Sequence, residues 1–282
     1  MIAAAFLIPL LAQAAAPDMA GFEAYRMPST LEQDRLTYCL DQAASDPSTA
    51  IAAASSWLDQ SSGAERSFPG QCLGMAYISL LRWRAAEAAF LAARGEVPEA
   101  TAGHRARLAA MAGNAAFADG RYENALVDLG LAAGDAAAAS DTTLAGEIQI
   151  DRARALVALG RTDDAGTALA DARRDAPQNA EGWLLSATLS RRGGDLDSAQ
   201  AHIVTAAALD PRNPAIGLEA GVIAALSGRD AAARKSWQSV IETSPDSPEA
   251  QTARGYLAQL DEAPAPAPAA TGAETGNEGT GG

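Results

Sequence analysis

The sequence predicts an all-α fold: antiparallel helix pairs stacked in series as an α-solenoid. Three observations predict it. A glycine, an alanine and a proline recur on a 34-residue metre, as Gly160, Gly194 and Gly228, Ala165, Ala199 and Ala233, and Pro177, Pro211 and Pro245. Hydrophobic residues make up 48% of the 282, yet only 5% are aromatic, and alanine supplies much of the apolar count. Alanine has the best helix propensity and lets backbones approach closely. Segments that alternate Val, Ile, Thr and Tyr in the manner of strands are hard to find.

Within one unit of the metre each residue has a mechanical role. Asn179 is placed to cap a helix over Ala180–Arg192, with Glu181 in its first turn, and Asp195 to cap a second over Leu196–Leu209. The glycine between them tolerates the left-handed backbone of a tight helix–helix turn. The alanine lies on the inner face of the second helix, where a small side chain lets the pair close. The proline lacks a donor and pushes its predecessor out of the α region, which ends that helix. The next units open on Asn213 before Pro214 and Ser247 before Pro248, proline being tolerated in a first turn. One such hairpin cannot bury its own apolar face; stacking on its neighbours does.

The elements follow in chain order. Residues 1–14 read as a secretory signal peptide, an apolar run over Ile2–Leu11 followed by Ala12-Gln13-Ala14, with the cut after Ala14. No Lys or Arg precedes the run, so a retained N-terminal membrane anchor is the alternative. A linker at 15–30 leads to a degenerate helix pair within 31–66, about Leu31–Leu58, broken at Asp46-Pro47. The spacing sets five units at 67–100, 106–139, 146–179, 180–213 and 214–247, with about six extra residues near 140–145. A lone helix at 248–260 caps the last apolar face. Residues 261–282, rich in Pro, Ala and Gly, cannot bury enough surface to offset their ordering entropy and are expected to be disordered. Cys39 and Cys72 admit two readings, a disulfide contributing roughly 3–4 kcal/mol in an oxidising compartment, or two buried thiols acting as small hydrophobes.

The unit at 67–100 carries Leu73, Gly74, Tyr77, Ala86, Phe90 and Pro98, and these landmarks resemble the tetratricopeptide repeat signature, W-x2-L-G-x2-Y…A-x3-F…P. Gly70 stands in the tryptophan position there; Trp183 holds it in the fourth unit, where Ser186, Ala187 and Ser190 replace the Leu-Gly-Tyr landmarks. The resemblance covers about two thirds of the chain and implies a right-handed solenoid whose first helices line a concave groove holding a peptide or helix of a partner protein.

Composition excludes several functions. The net charge is −14, with 35 acidic against 21 basic side chains. That balance argues against nucleic acid, where Lys and Arg supply most of the affinity, and against docking on an anionic membrane surface. His104 and His202 fall in no metal-binding or catalytic motif, and no phosphate-binding G-x-x-x-x-G-K-[ST] loop occurs. Asp163-Asp164 follow a turn glycine, where acids favour a helix N-terminus. No catalytic residue, metal site or cofactor is expected.

The groove positions at i, i+3, i+7 and i+10 are Phe68, Gln71, Met75 and Ile78 in the first unit, and Arg107, Ala110, Asn114 and Phe117 in the second. The third offers Glu147, Ile150, Arg154 and Val157, the fourth Glu181, Leu184, Thr188 and Arg191, and the fifth Ala215, Leu218, Val222 and Ala225. Arg154 with Asn114 is placed to hold a partner carboxylate or carbonyl; the alternative is a solvated or intra-repeat ion pair. Lys235 is the only lysine, which disfavours the lysine-based carboxylate clamp of some relatives. Two functions remain: a non-enzymatic scaffold in the periplasm that grips another envelope protein, or an accessory, substrate-recruiting subunit of an envelope enzyme complex.

Overall fold

The computed structural model describes residues 31–262. The expected signal peptide and linker at 1–30, and the expected disordered tail beyond Glu262, lie outside the described residues. Thirteen α-helices and no strands occur among the described residues. The first compact unit runs to Asp210. It contains α1 Leu31–Ser45, α2 Pro47–Gln60, α3 Ser67–Ser79, α4 Trp83–Glu96, α5 Ala102–Ala118, α6 Tyr122–Ala138, α7 Thr142–Ala158, α8 Thr162–Asp175, α9 Ala180–Arg192 and α10 Leu196–Leu209. The second unit starts at Pro211 and holds α11 Pro214–Leu226, α12 Asp230–Thr243 and α13 Pro248–Glu262.

The turn glycines do what their spacing implies. Gly120, Gly160, Gly194 and Gly228 have φ of 73°, 73°, 85° and 70°. After each, the next N–H reaches back five residues, as in Arg161 to the Leu156 carbonyl at 2.8 Å and Arg229 to Ala224 at 2.9 Å. That bond satisfies a carbonyl the helix end leaves orphaned. The α3–α4 turn makes the same bond, Arg82 to Tyr77 at 2.8 Å, with Leu81 at φ 55° in place of glycine. Starts are capped as their residue types require. Asn179 accepts from the Glu181 N–H at 3.0 Å, Asp195 from Ser198 at 3.0 Å, Asn213 from Ala215 at 3.0 Å, and Ser247 from Ala250 at 3.0 Å.

The residues by which the Gly120–Gly160 step exceeds the metre lengthen helices rather than a loop. Helices α5, α6 and α7 each have 17 residues, against 13 or 14 in α8, α9 and α10. The α6–α7 connection is a tight turn with Ser140 at φ 54°, and Asp141 donates to the Ala136 carbonyl at 3.1 Å. Proline-bearing connections follow α8 and α10 instead.

From α3–α4 onward each pair closes by one rule, a small residue on its first helix receiving a large one from its second. A Cβ added to Gly74 would lie 2.3 Å from Phe90, one on Gly113 2.7 Å from Leu129, and one on Gly221 2.1 Å from Trp237. Ala153 packs with Leu169 in the third pair, while Ala187 and Ile203, both buried, hold the matching places in the fourth. The metre's alanine is fully buried in the five pairs from α3–α4 onward, at Ala86, Ala125, Ala165, Ala199 and Ala233. At such sites a methyl group more is overpacking, so the sequence keeps the small side chain.

Polar groups tie successive pairs together. Asp135 on α6 accepts from Arg94 on α4 at 2.7 Å and from Arg105 on α5 at 3.3 Å, all three mostly buried. Arg121 grips Glu87 on α4 with two nitrogens and Asp119 with a third. Cys39 on α1 and Cys72 on α3 form a disulfide, Cα atoms 6.0 Å apart, within a core that includes Trp57 of α2.

Candidate partner-binding face

Three successive first helices of the first unit, α5, α7 and α9, present their polar side chains to one another. Asn114 on α5 donates to Asp151 on α7 at 2.9 Å. Arg154, one turn along α7, pairs with Asp151 on its own helix and with Glu181 on α9. Arg107 on α5 lies 3.6 Å from Asp141, the residue that caps α7. These contacts can form only if the three helices stand side by side with the same face turned one way. That face is the one the groove positions define.

Several groove positions are absorbed by packing. Gln71 is buried, as is Ile150, whose side chain lies 3.4 Å from where a Cβ on Gly182 would be. Val222 is buried in the α11–α13 core of the second unit, and Leu218 packs against that core. Gln71, Ile150 and Val222 therefore offer no surface to a partner. Met75 and Ile78 pack against the core formed by Phe90 and Leu108, and Phe117 leans on Ala116, Ala125 and Ala155. Phe68 sits 6.2 Å from the His104 ring. Burial and Arg107 hold His104 below the usual imidazole range. Leu184, Thr188 and Arg191 on α9 are half-buried, and Arg107 is exposed.

The expectation that Arg154 and Asn114 hold a partner's carboxylate meets a different arrangement. Asp151 of the chain itself occupies the seat between them. Burial pushes the Asp151 carboxyl up despite these two partners, and Glu181 adds to the effect. Asp151 is a carboxylate at i−3 from Arg154, which sequence spacing does reveal. Its meeting with Asn114, 37 residues away, needs the fold.

A cleft of about 300 Å³ opens beside this face, between the start of α7 and the α8–α9 connection. Thr143, Glu147, Ala176, Pro177, Gln178 and Asn179 line it. Glu147 is the one carboxylate of the face without a hydrogen-bonding partner among the described residues. Its carboxyl is raised above the ordinary range by burial first, then by Asp141 and Asp151, against the pull of Arg107.

The fold also brings together Ser190 and His202, with 3.4 Å between the Ser190 hydroxyl and Nδ1. Burial first and the Arg173 charge next hold the His202 imidazole below its ordinary range, against the smaller pull of Asp195. The separation is at the outer limit for a hydrogen bond. The imidazole stands 5.9 Å from Trp183, which also carries the Arg173 guanidinium 5.4 Å over its ring. Ser186, in the landmark leucine's place, is buried, accepts from Arg173 and donates to the Gly182 carbonyl at 2.6 Å. These contacts order the junction of α8, α9 and α10. No group of three or more His, Cys, Asp or Glu side chains suited to a metal ion occurs among the described residues. No helix among the described residues is long and apolar enough to cross a membrane.

No protein-family model matches the sequence, and no curated protein does. Solved structures match well. PilW, a widely conserved type IV pilus biogenesis factor, aligns over 79% of this chain and 98% of its own with a TM-score of 0.61 at 15% identity. The pilF protein of Pseudomonas aeruginosa aligns over 80% and 99%, with a TM-score of 0.60 at 14% identity. BtubC from P. vanneervenii aligns over 82% and 96%, with a TM-score of 0.57 at 15% identity. Paired helices, left-handed turn residues and small-into-large packing on a shared metre give this chain the fold of the tetratricopeptide-repeat proteins.

Proposed function

We propose that this chain is a non-enzymatic scaffold of the bacterial cell envelope, which holds a peptide or helix of another protein against the face formed by α5, α7 and α9. The observation that carries this reading is the continuity of that face, fixed by the contacts of Asn114, Asp151, Arg154 and Glu181 across three helices. A face shared by three rigid helices holds its side chains in register and loses little entropy when a partner binds. Leu184 and Thr188 supply a half-exposed apolar and hydroxyl surface beside its charged groups. An envelope location is supported by the Cys39–Cys72 disulfide, which belongs to an oxidising compartment, and by the likeness to a pilus biogenesis factor.

The test is recovery of the tagged full-length chain with its partner from the cells that make it, with and without Leu184→Glu and Thr188→Glu. Both side chains are half-exposed, so helicity and melting should change little. Partner recovery should fall by about tenfold or more. Undiminished recovery from a folded double variant would move the binding surface elsewhere.

A further inference from the structure

The carboxylates of the α5–α7–α9 face are satisfied within the chain, except one. Asp141 accepts from the Leu144 N–H at 3.0 Å and faces Arg107. Asp151 has Asn114 and Arg154, and Glu181 has Arg154. Glu147 has none among the described residues, and it lies on the wall of the 300 Å³ cleft. Across the face, Asp141, Glu147, Asp151 and Glu181 stand against Arg107, Arg154 and Arg191, so the local charge is negative. The helix N-termini bordering the cleft attract anions in general. Here Asp141 and Asn179 already cap α7 and α9, with Glu181 in the first turn of α9.

We infer that this cleft receives a cationic side chain, lysine or arginine, from the partner segment, with Glu147 as its counter-charge and the Thr143 hydroxyl and the Gln178 and Asn179 side-chain oxygens as further acceptors. The inference rests on the reading of this face as a protein-binding surface. Glu147 is exposed, and the nearby charges of Asp141 and Asp151 repel its own when the chain is alone. A cation delivered to it gains a charge-assisted hydrogen bond and relieves the repulsion from Asp141 and Asp151. The cleft fits one long side chain, so it selects residue type while the wider face supplies contact area. Burial raises the Glu147 carboxyl, and a bound cation lowers it again, which makes the titration of this group a direct report of occupancy.

The experiment titrates the isotope-labelled full-length chain with N-acetyl-arginine methylamide or N-acetyl-lysine methylamide, followed by NMR, with the neutral N-acetyl-citrulline methylamide as control. Saturable shifts are expected at Thr143, Gln178 and Asn179 with the cationic probes, together with a fall in the Glu147 carboxyl pKa. Citrulline, or the Glu147→Gln variant with the cationic probes, should weaken the response by about tenfold. Glu147→Gln should melt no lower than the parent, because no internal partner is lost. An equal response to citrulline, an undiminished response in Glu147→Gln, or none at these residues would overturn the inference. If the probe fails but Leu184→Glu with Thr188→Glu still releases the partner, only the cationic assignment falls. If those substitutions release nothing, the reading of the face itself falls.

Discussion

Leu81 holds φ at 55° where the turns closing the later pairs use glycine, and it is 68% exposed. The left-handed backbone costs an L-residue roughly 1–2 kcal/mol, and little packing offsets it here. Leu81→Gly should therefore raise stability by about 1 kcal/mol in denaturant titration. Asp128 poses a pH question. It is 5% exposed, one carboxylate oxygen lacks a partner among the described residues, and its pKa is raised to about 6 by burial first and by Glu87 next. The folded state thus binds this proton more tightly than the unfolded chain, whose carboxyl titrates near 3.8. Its contribution is complete below about pH 4 and is lost as pH rises through about 6. Asp128→Asn keeps the shape and cannot ionise. It should match the parent near pH 4 and exceed it by about 2 kcal/mol at pH 7, as read by urea unfolding at both values.

At the scale of helices, the first pair depends on a covalent link that the later pairs lack. The chain from Cys39 to Cys72 spans three helices, a separation of 33 residues. Opening that loop should cost roughly 3–4 kcal/mol. Reduction should strip hydrogen-exchange protection from α1 and α2 while α5 to α9 keep theirs, since each pair leans mainly on its neighbours. The pairs themselves were legible in the sequence because glycine, alanine and proline each answer a local demand: a left-handed turn, a close approach, a helix stop. Ser140 and Leu81 were not legible as turn residues, since nothing in their chemistry announces a positive φ. The 17-residue helices were read as extra residues near 140–145, because a length surplus does not reveal whether loop or helix absorbs it. Groove periodicity named positions on α5, α7 and α9 whose polar side chains the fold brings together. It could not tell exposed positions from those, such as Ile150, that a neighbouring glycine draws into the packing. Asp151 escaped notice for a related reason, since its role depends on which residue of α5 stands opposite.

Over the whole molecule, charge bears on the proposed association. The chain holds one lysine and a net charge of −14, and the α5–α7–α9 face shares that sign. Association with a basic segment should weaken as salt is added, because the exposed charges are screened beyond about 8 Å at physiological ionic strength. Within the first unit the apolar demand of a helix pair is met by its neighbours, which leaves the face of α5, α7 and α9 available without cost to the core. The most direct measurement is site-specific photo-crosslinking in the cell, with the crosslinker placed in turn at Ala110 and Thr188 on the face and at Thr167 and Ala201 on the exposed sides of α8 and α10. Ala110 and Thr188 should capture the same protein while Thr167 and Ala201 capture none. Capture from Thr167 or Ala201, with nothing from the face, would contradict the proposal.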